Sequence, residues 1–137
     1  AVRLLAATGC VSRVRRPLMV CAGGGPGGAD DAWRSLPSGH LVPRTEPRTL
    51  AAGVRSSLGV KTFAVLSTRV DAIGTTSEQA ILQAMRLTWD KLKLIIEPSS
   101  AVPLAALLEH KLPVAGRRVG IVLSGGNVDL DRLPWQI

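Results

Sequence analysis

The run Gly23-Gly24-Gly25-Pro26-Gly27-Gly28 satisfies G-x-G-x-x-G through Gly23, Gly25 and Gly28, a spacing that can offer backbone amides to a pyrophosphate at a helix start. The neighbouring residues oppose that chemistry. Pro26 removes one amide, and Asp30 and Asp31 would set two carboxylates where the phosphates should lie. The same carboxylates suit a divalent cation, Mg²⁺ or Ca²⁺, whose ligands are carboxylate and carbonyl oxygens; an Asp pair opening a helix also serves as a plain cap. Ser124-Gly125-Gly126-Asn127 is the second candidate. It follows a β-rich run, and α/β folds bind ligands at the C-terminal ends of parallel strands. Two glycines admit close backbone approach, while a hydroxyl and an amide supply directed hydrogen bonds. From spacing alone, a tight turn into a last short helix reads equally well. His40, His110, Cys10 and Cys21 show neither zinc spacing nor a Ser/His/Asp or Cys/His arrangement, and both histidines read as surface residues.

These groups need elements to hold them. Pro17 to Ala22 reads as a buried strand, residues 23–28 as a loop, 29–36 as a short helix and 37–49 as surface loop. Thr62 to Ser67 and, more weakly, Val70 to Ile73 look like strands. Thr75 with Glu78 forms a capping box for a helix that carries Ile81, Met85, Thr88 and Leu92 on one face and ends near Lys91 or Lys93. EPSS (97–100) breaks the chain, with Ser99 or Ser100 capping a second helix from Ala101 to about Glu109. Arg118 to Leu123 reads as a strand. The alternation implies an α/β fold, with a mainly parallel sheet and flanking helices.

The chain has 137 residues, 46% hydrophobic and 3% aromatic, which suits one domain and excludes global disorder. No apolar run approaches the ~20 residues that span a bilayer, so no membrane partner is expected. Two cysteines are too few for a disulfide framework, and a cytoplasmic protein is the expectation. The net charge is +7, of which Arg3, Arg13, Arg15 and Arg16 supply +4 within residues 1–20, with no acid among them. Such a stretch raises a nucleic-acid tail or a transit peptide. Four arginines without an aromatic make a thin electrostatic footprint, and no nucleic-acid partner is expected.

Four segments, GADDAWRS (28–35), LAAGVRSSLG (50–59), KLKLIIEPSSAVPLAALL (91–108) and IVLSGGNVDL (121–130), together resemble the C-terminal part of the serine racemase and serine/threonine dehydratase family. They occur in the family's order and near its spacing, and the resemblance spans about four-fifths of the chain. It implies part of the large domain of the tryptophan-synthase-β-like fold, with pyridoxal 5'-phosphate (PLP) as cofactor. On this resemblance residues 28–137 are the C-terminal part of a PLP-dependent enzyme domain, and 1–27 an atypical basic, Gly-rich segment.

The resemblance also implies roles. Ser124 would bond the PLP pyridine nitrogen, Gly125 and Gly126 line the ring, Gly53 lie beside the cofactor and Ser56 face the substrate. A divalent cation, Mg²⁺ or Ca²⁺, would take the Ala29 carbonyl and Asp31, but the family's metal-loop glutamate is Gly25 here, which weakens the site. Lys93 and Asn127 match residues that bind an ATP effector at a subunit interface, in enzymes expected to be homodimers when full length. The implied activity on a small hydroxy amino acid is loss of the α-proton and then of the β-hydroxyl, giving ammonia and a 2-oxo acid, or reprotonation on the other face. The Schiff-base lysine belongs to the family's N-terminal half, which these segments do not match, so the isolated chain is expected to lack β-elimination activity. A non-catalytic binding or interaction module that keeps the fold is the alternative.

Overall fold

A computed structural model of the chain describes residues 21–43 and 46–136. The strand expected from Pro17 therefore lies outside the described residues up to position 20, as do the four N-terminal arginines and Cys10. Strands β1 (Ala22–Pro26) and β2 (Ala72–Thr76) pair in parallel, in register from Ala22 opposite Ala72 to Pro26 opposite Thr76. Helices α1 (Asp31–Ser38), α2 (Val60–Arg69), α3 (Glu78–Leu92) and α4 (Pro98–Leu108) accompany them, with single 3-10 turns at Gly27–Ala29 and Ala52–Val54. The α/β class with parallel strands and flanking helices is as expected. No helix among the described residues is long and apolar enough to cross a membrane.

The glycine run, expected to be a loop, is instead most of β1. Glycine is a weak strand former, so packing decides the conformation. A Cβ on Gly24 would stand 3.1 Å from both Cγ1 and the carbonyl oxygen of Val102 in α4. Its register partner Gly74 would put a Cβ 2.9 Å from Lys111 Cβ. Bare backbone at this rung lets α4 and the turn after it settle onto the sheet.

Thr62–Ser67, expected as a strand, lies inside α2. Its β-branched content favours a strand, yet Phe63, Leu66 and Val70 recur at helical spacing and pack with Cys21 and Leu58. Val70 closes α2 by donating its N–H to the Leu66 carbonyl at 2.9 Å, which displaces β2 from the expected 70–73 to 72–76. Helix α1 starts and ends two residues later than expected, and Gly39 takes its C-cap in the left-handed region at φ 72°.

Helix α3 buries Ala80, Ile81, Ala84, Met85 and Thr88 on one face and ends where expected, with Lys93 at φ 56°. Its cap is Ser77 rather than Thr75: Ser77 Oγ accepts the Ala80 N–H at 3.1 Å, while Thr75 pairs with Gly25 in the sheet. Helix α4 begins at Pro98, whose fixed φ and missing N–H suit the first helical position, and neither Ser99 nor Ser100 caps it. Small residues let α4 pack between α3 and the sheet, burying Ala101, Val102 and Ala105 with Ile81 and Met85. Arg118–Leu123, expected as a strand, forms none.

Glu109, just past α4, fastens the far end of this packing. Its carboxylate accepts Thr76 Oγ1 at 2.8 Å, Ser77 N–H at 3.1 Å and Ser77 Oγ at 2.6 Å, joining α4 to the β2–α3 junction. The hydrogen bonds from Ser77 and Thr76 hold its pKa below the usual glutamate value of 4.5. A depressed carboxylate stabilises the fold above its unfolded pKa and loses that contribution as pH falls through its folded pKa. Glu109→Ala should therefore lose on the order of 1 kcal/mol of stability near neutral pH. Thermal melts from pH 7 downward should show the gap to wild type closing below about pH 4.5; a gap independent of pH would refute the role of the charged form.

Candidate functional site

The N-terminus of α4 gathers three distant segments. Ser100, fully buried, accepts the Gly125 N–H on its Oγ at 2.7 Å and donates to the Gly125 carbonyl at 2.9 Å. The same Oγ lies 3.3 Å from Ser124 Oγ. One residue earlier, Ser99 Oγ accepts the Gly53 N–H at 3.0 Å. Glu97 completes the cluster: its N–H donates to the Gly125 carbonyl at 3.0 Å, and its Oε2 accepts the Asn127 N–H at 3.3 Å. A carboxylate at this end of the helix faces the positive pole of the helix dipole.

The glycines of this cluster are required by contact. A Cβ on Gly53 would lie 2.8 Å from Ser99 Oγ, one on Gly125 3.0 Å from the Glu97 carboxylate, and one on Gly126 2.8 Å from the Ile95 carbonyl. The loop 124–127 is thus pressed onto residues 95–100, with the Ser124, Gly126 and Asn127 residues left exposed. The open face presents one neutral hydroxyl, a bare glycine and an amide side chain. That set can donate to or accept from a planar heteroaromatic ligand without introducing charge.

Of the residues singled out in the sequence, Gly53, Ser124, Gly125, Gly126 and, through its amide, Asn127 meet in this cluster. Ser56 is exposed beyond the Ala52–Val54 turn. Lys93 donates its Nζ to the Asp90 carbonyl at 2.6 Å and lines an open groove with Gln83, Arg86, Trp89 and Asp90; Asn127 is outside that groove. Ala29 is buried in the turn after β1. Asp31, 1% exposed, accepts the Leu58 N–H on Oδ2 at 3.0 Å. Among the described residues no group of three or more His, Cys, Asp or Glu side chains could hold a metal ion. Glu97, Ser99 and Ser100 were not legible as site residues: EPSS signals a helix start, and their partners lie up to 46 residues away.

The chain matches the family described as "Pyridoxal-phosphate dependent enzyme" over residues 4–125. It is 44% identical over 110 residues to the beta-hydroxyaspartate dehydratase of Paracoccus denitrificans (strain Pd 1222), covering 80% of this chain and 35% of that protein. It is 40% identical over 134 residues to the serine racemase of Dictyostelium discoideum, covering 95% of this chain and 41% of that one. Among solved structures, the threonine deaminase of T.th. aligns with a TM-score of 0.76 and 46% identity, over 84% of this chain and 42% of its own. Maize serine racemase aligns with a TM-score of 0.79 and 36% identity, over 88% and 38%. The chain spans 35–42% of the length of these relatives. Its architecture is part of the tryptophan-synthase-β-like fold that they share. On the match over most of its length, the chain belongs to the family of pyridoxal-phosphate-dependent enzymes.

Proposed function

We propose that the chain supplies the cofactor-ring face of a PLP site in an ammonia-lyase or racemase acting on small hydroxy amino acids. The observation that carries this reading is the gathering of Ser124, Gly125 and Gly53 at the N-terminus of α4 by Ser99 and Ser100. The relatives' names, β-hydroxyaspartate dehydratase, serine racemase and threonine deaminase, supply the substrate class. When bound, PLP acts as the electron sink for carbanion chemistry at an amino acid's α-carbon. The cluster fits that group. Ser124 is a neutral hydroxyl partner for a pyridine nitrogen, with Ser100 behind it, and leaves the ring less electron-withdrawing than a carboxylate partner would. Gly125, Gly126 and Gly53 keep side chains off the face, and Ser56 is assigned to the substrate.

The proton-transferring base is assigned to another part of the enzyme. The four lysines, Lys61, Lys91, Lys93 and Lys111, are all exposed, and none belongs to the α4 cluster. The Asp90 carboxylate further raises the Lys91 pKa, the opposite of what a lysine base needs. This exposure is also the observation that favours a non-catalytic module. Ammonia release on supplying a lysine-bearing complement would separate the two. The chain's expected homodimer and cytoplasmic location go with the enzyme reading.

The cation donors do not fit as they stand. Asp31 is turned to Leu58, and Gly25 brings no carboxylate. A Cβ on Gly25 would meet only the Ala29 carbonyl, at 3.8 Å, so a longer side chain there has room beside that oxygen. The groove at Lys93 combines two cations, Arg86 and Lys93, with the indole of Trp89, which suits a nucleotide effector such as ATP.

Four measurements test these assignments. Incubated with PLP, the chain alone should release no ammonia from L-serine or L-threonine; release, together with a lysine-bound pyridoxyl adduct trapped by borohydride in a parallel sample, would overturn the assignment of the base. Without borohydride, Ser124→Ala should weaken PLP binding, read by absorbance titration, by roughly 2- to 10-fold. Gly25→Glu should raise Ca²⁺ or Mg²⁺ affinity on the order of tenfold by calorimetry, since it adds a charged oxygen ligand beside the Ala29 carbonyl. ATP should raise the melting temperature of the wild type, and Lys93→Ala should remove most of that rise; an equal rise in both would exclude Lys93 from the effector site.

A further inference from the structure

Ser100 Oγ carries one proton and faces three polar neighbours. The Gly125 N–H, 2.7 Å away, can only donate to it, and the Gly125 carbonyl, 2.9 Å away, can only accept from it. Ser124 Oγ, at 3.3 Å, can take either role. A hydroxyl has one proton and two lone pairs, so these contacts use all of them. While the Ser100 proton lies on the Gly125 carbonyl, the lone pair left over faces Ser124. The Ser124 proton is then drawn inward, and Ser124 offers only lone pairs on its exposed side. The spacing favours this arrangement at rest, since 2.9 Å is a settled O–H···O distance and 3.3 Å a loose one.

The Gly125 carbonyl can release that proton and stay paired, because it also accepts the Glu97 N–H at 3.0 Å. Once turned, the Ser100 hydroxyl donates to Ser124 Oγ and frees the Ser124 proton to point outward. Neither arrangement leaves a buried polar group without a partner, so no desolvation penalty separates them. Ser100 is fully buried, and among the described residues it is the one hydrogen-bond partner of Ser124 Oγ. We propose that Ser100 is a positioning residue that sets the direction of the Ser124 hydroxyl, holding it as an acceptor at rest and turning it into a donor toward an unprotonated ring nitrogen. Donation from Ser100 also polarises the Ser124 O–H, which strengthens its outward bond. This role rests on the PLP assignment and deepens it, since the contact made by Ser124 then depends on a second, buried hydroxyl.

A double-mutant cycle on PLP affinity, read by absorbance titration of the whole chain, isolates this role from mere support of the loop. Ser100→Cys keeps the shape of the side chain but is a weak donor and a weak acceptor. It should weaken PLP binding roughly 3- to 10-fold in the wild-type background, and by less than about 1.5-fold when Ser124 is already alanine. Equal weakening in both backgrounds would mean that Ser100 only supports the loop, and would overturn the proposal. The wild type supplies a second readout that needs no change at Ser100. On adding PLP, the carbonyl carbon resonance of Gly125 should move in the direction of a weaker hydrogen bond, as Ser100 turns away, and should not do so in Ser124→Ala. The same movement in both chains, or none in the wild type, would overturn the proposal. Failure of the wild type to bind PLP would overturn the cofactor assignment and this role together, whereas binding with an additive cycle would overturn this role alone.

Discussion

Four glycines from three separate segments press their backbone against one stretch of chain, residues 95–102. A side chain on Gly24, Gly53, Gly125 or Gly126 would begin 2.8–3.1 Å from Val102, Ser99, Glu97 or Ile95 respectively. Close approach of bare backbone to α4 and its lead-in is therefore the constraint on which both the core and the candidate site rest. It fits the small residues Ser99, Ser100 and Ala101 in the first turn of α4, and a strand β1 that is mostly glycine. It also gives the SGG loop a structural reason for its glycines beside any cofactor. Helix α4 acts as the common wall against which the site residues are aligned.

Much of this was readable in the sequence where the signal was local and periodic. The end of α3 near Lys93 and the break at EPSS follow from helical spacing and proline placement, and the α/β class from the alternation of elements. The glycine run and Thr62–Ser67 were misread for a shared reason. Their local propensities point one way, while the contacts that decide, Gly24 on Val102 and Leu66 with Cys21, come from elsewhere in the chain. The site divides in the same manner. Ser124–Asn127 stood out through its glycines and its family resemblance. Ser99 and Ser100 looked like caps because their hydrogen bonds to Gly53 and Gly125 span 46 and 25 residues, a range no local pattern encodes.

The acidic side chains give the positive balance a different meaning from a binding surface. Asp31, Asp71, Glu78, Glu97 and Glu109 each accept a backbone N–H from a remote segment: Leu58, Cys21, Leu50, Asn127 and Ser77. Among the described residues, the side-chain ion pairs are Arg34 with Asp30 and Lys91 with Asp90. Carboxylates are thus used mainly to staple loops to elements. Among the described residues, most basic side chains are exposed and outside these two pairs.

The in-register glycine rung of β1 and β2 also bears on how the chain assembles during synthesis. Strand β1 leaves the ribosome before its partner, which lies 50 residues downstream, and lacks the side chains to hold itself. The helix that presses on it, α4, emerges later still. Helices α3 and α4 are neighbours in sequence and can pair through local contacts, which form fastest. The glycine strand can thus gain its full packing only once the chain through residue 108 has cleared the exit, when the two ends of the described fold can meet.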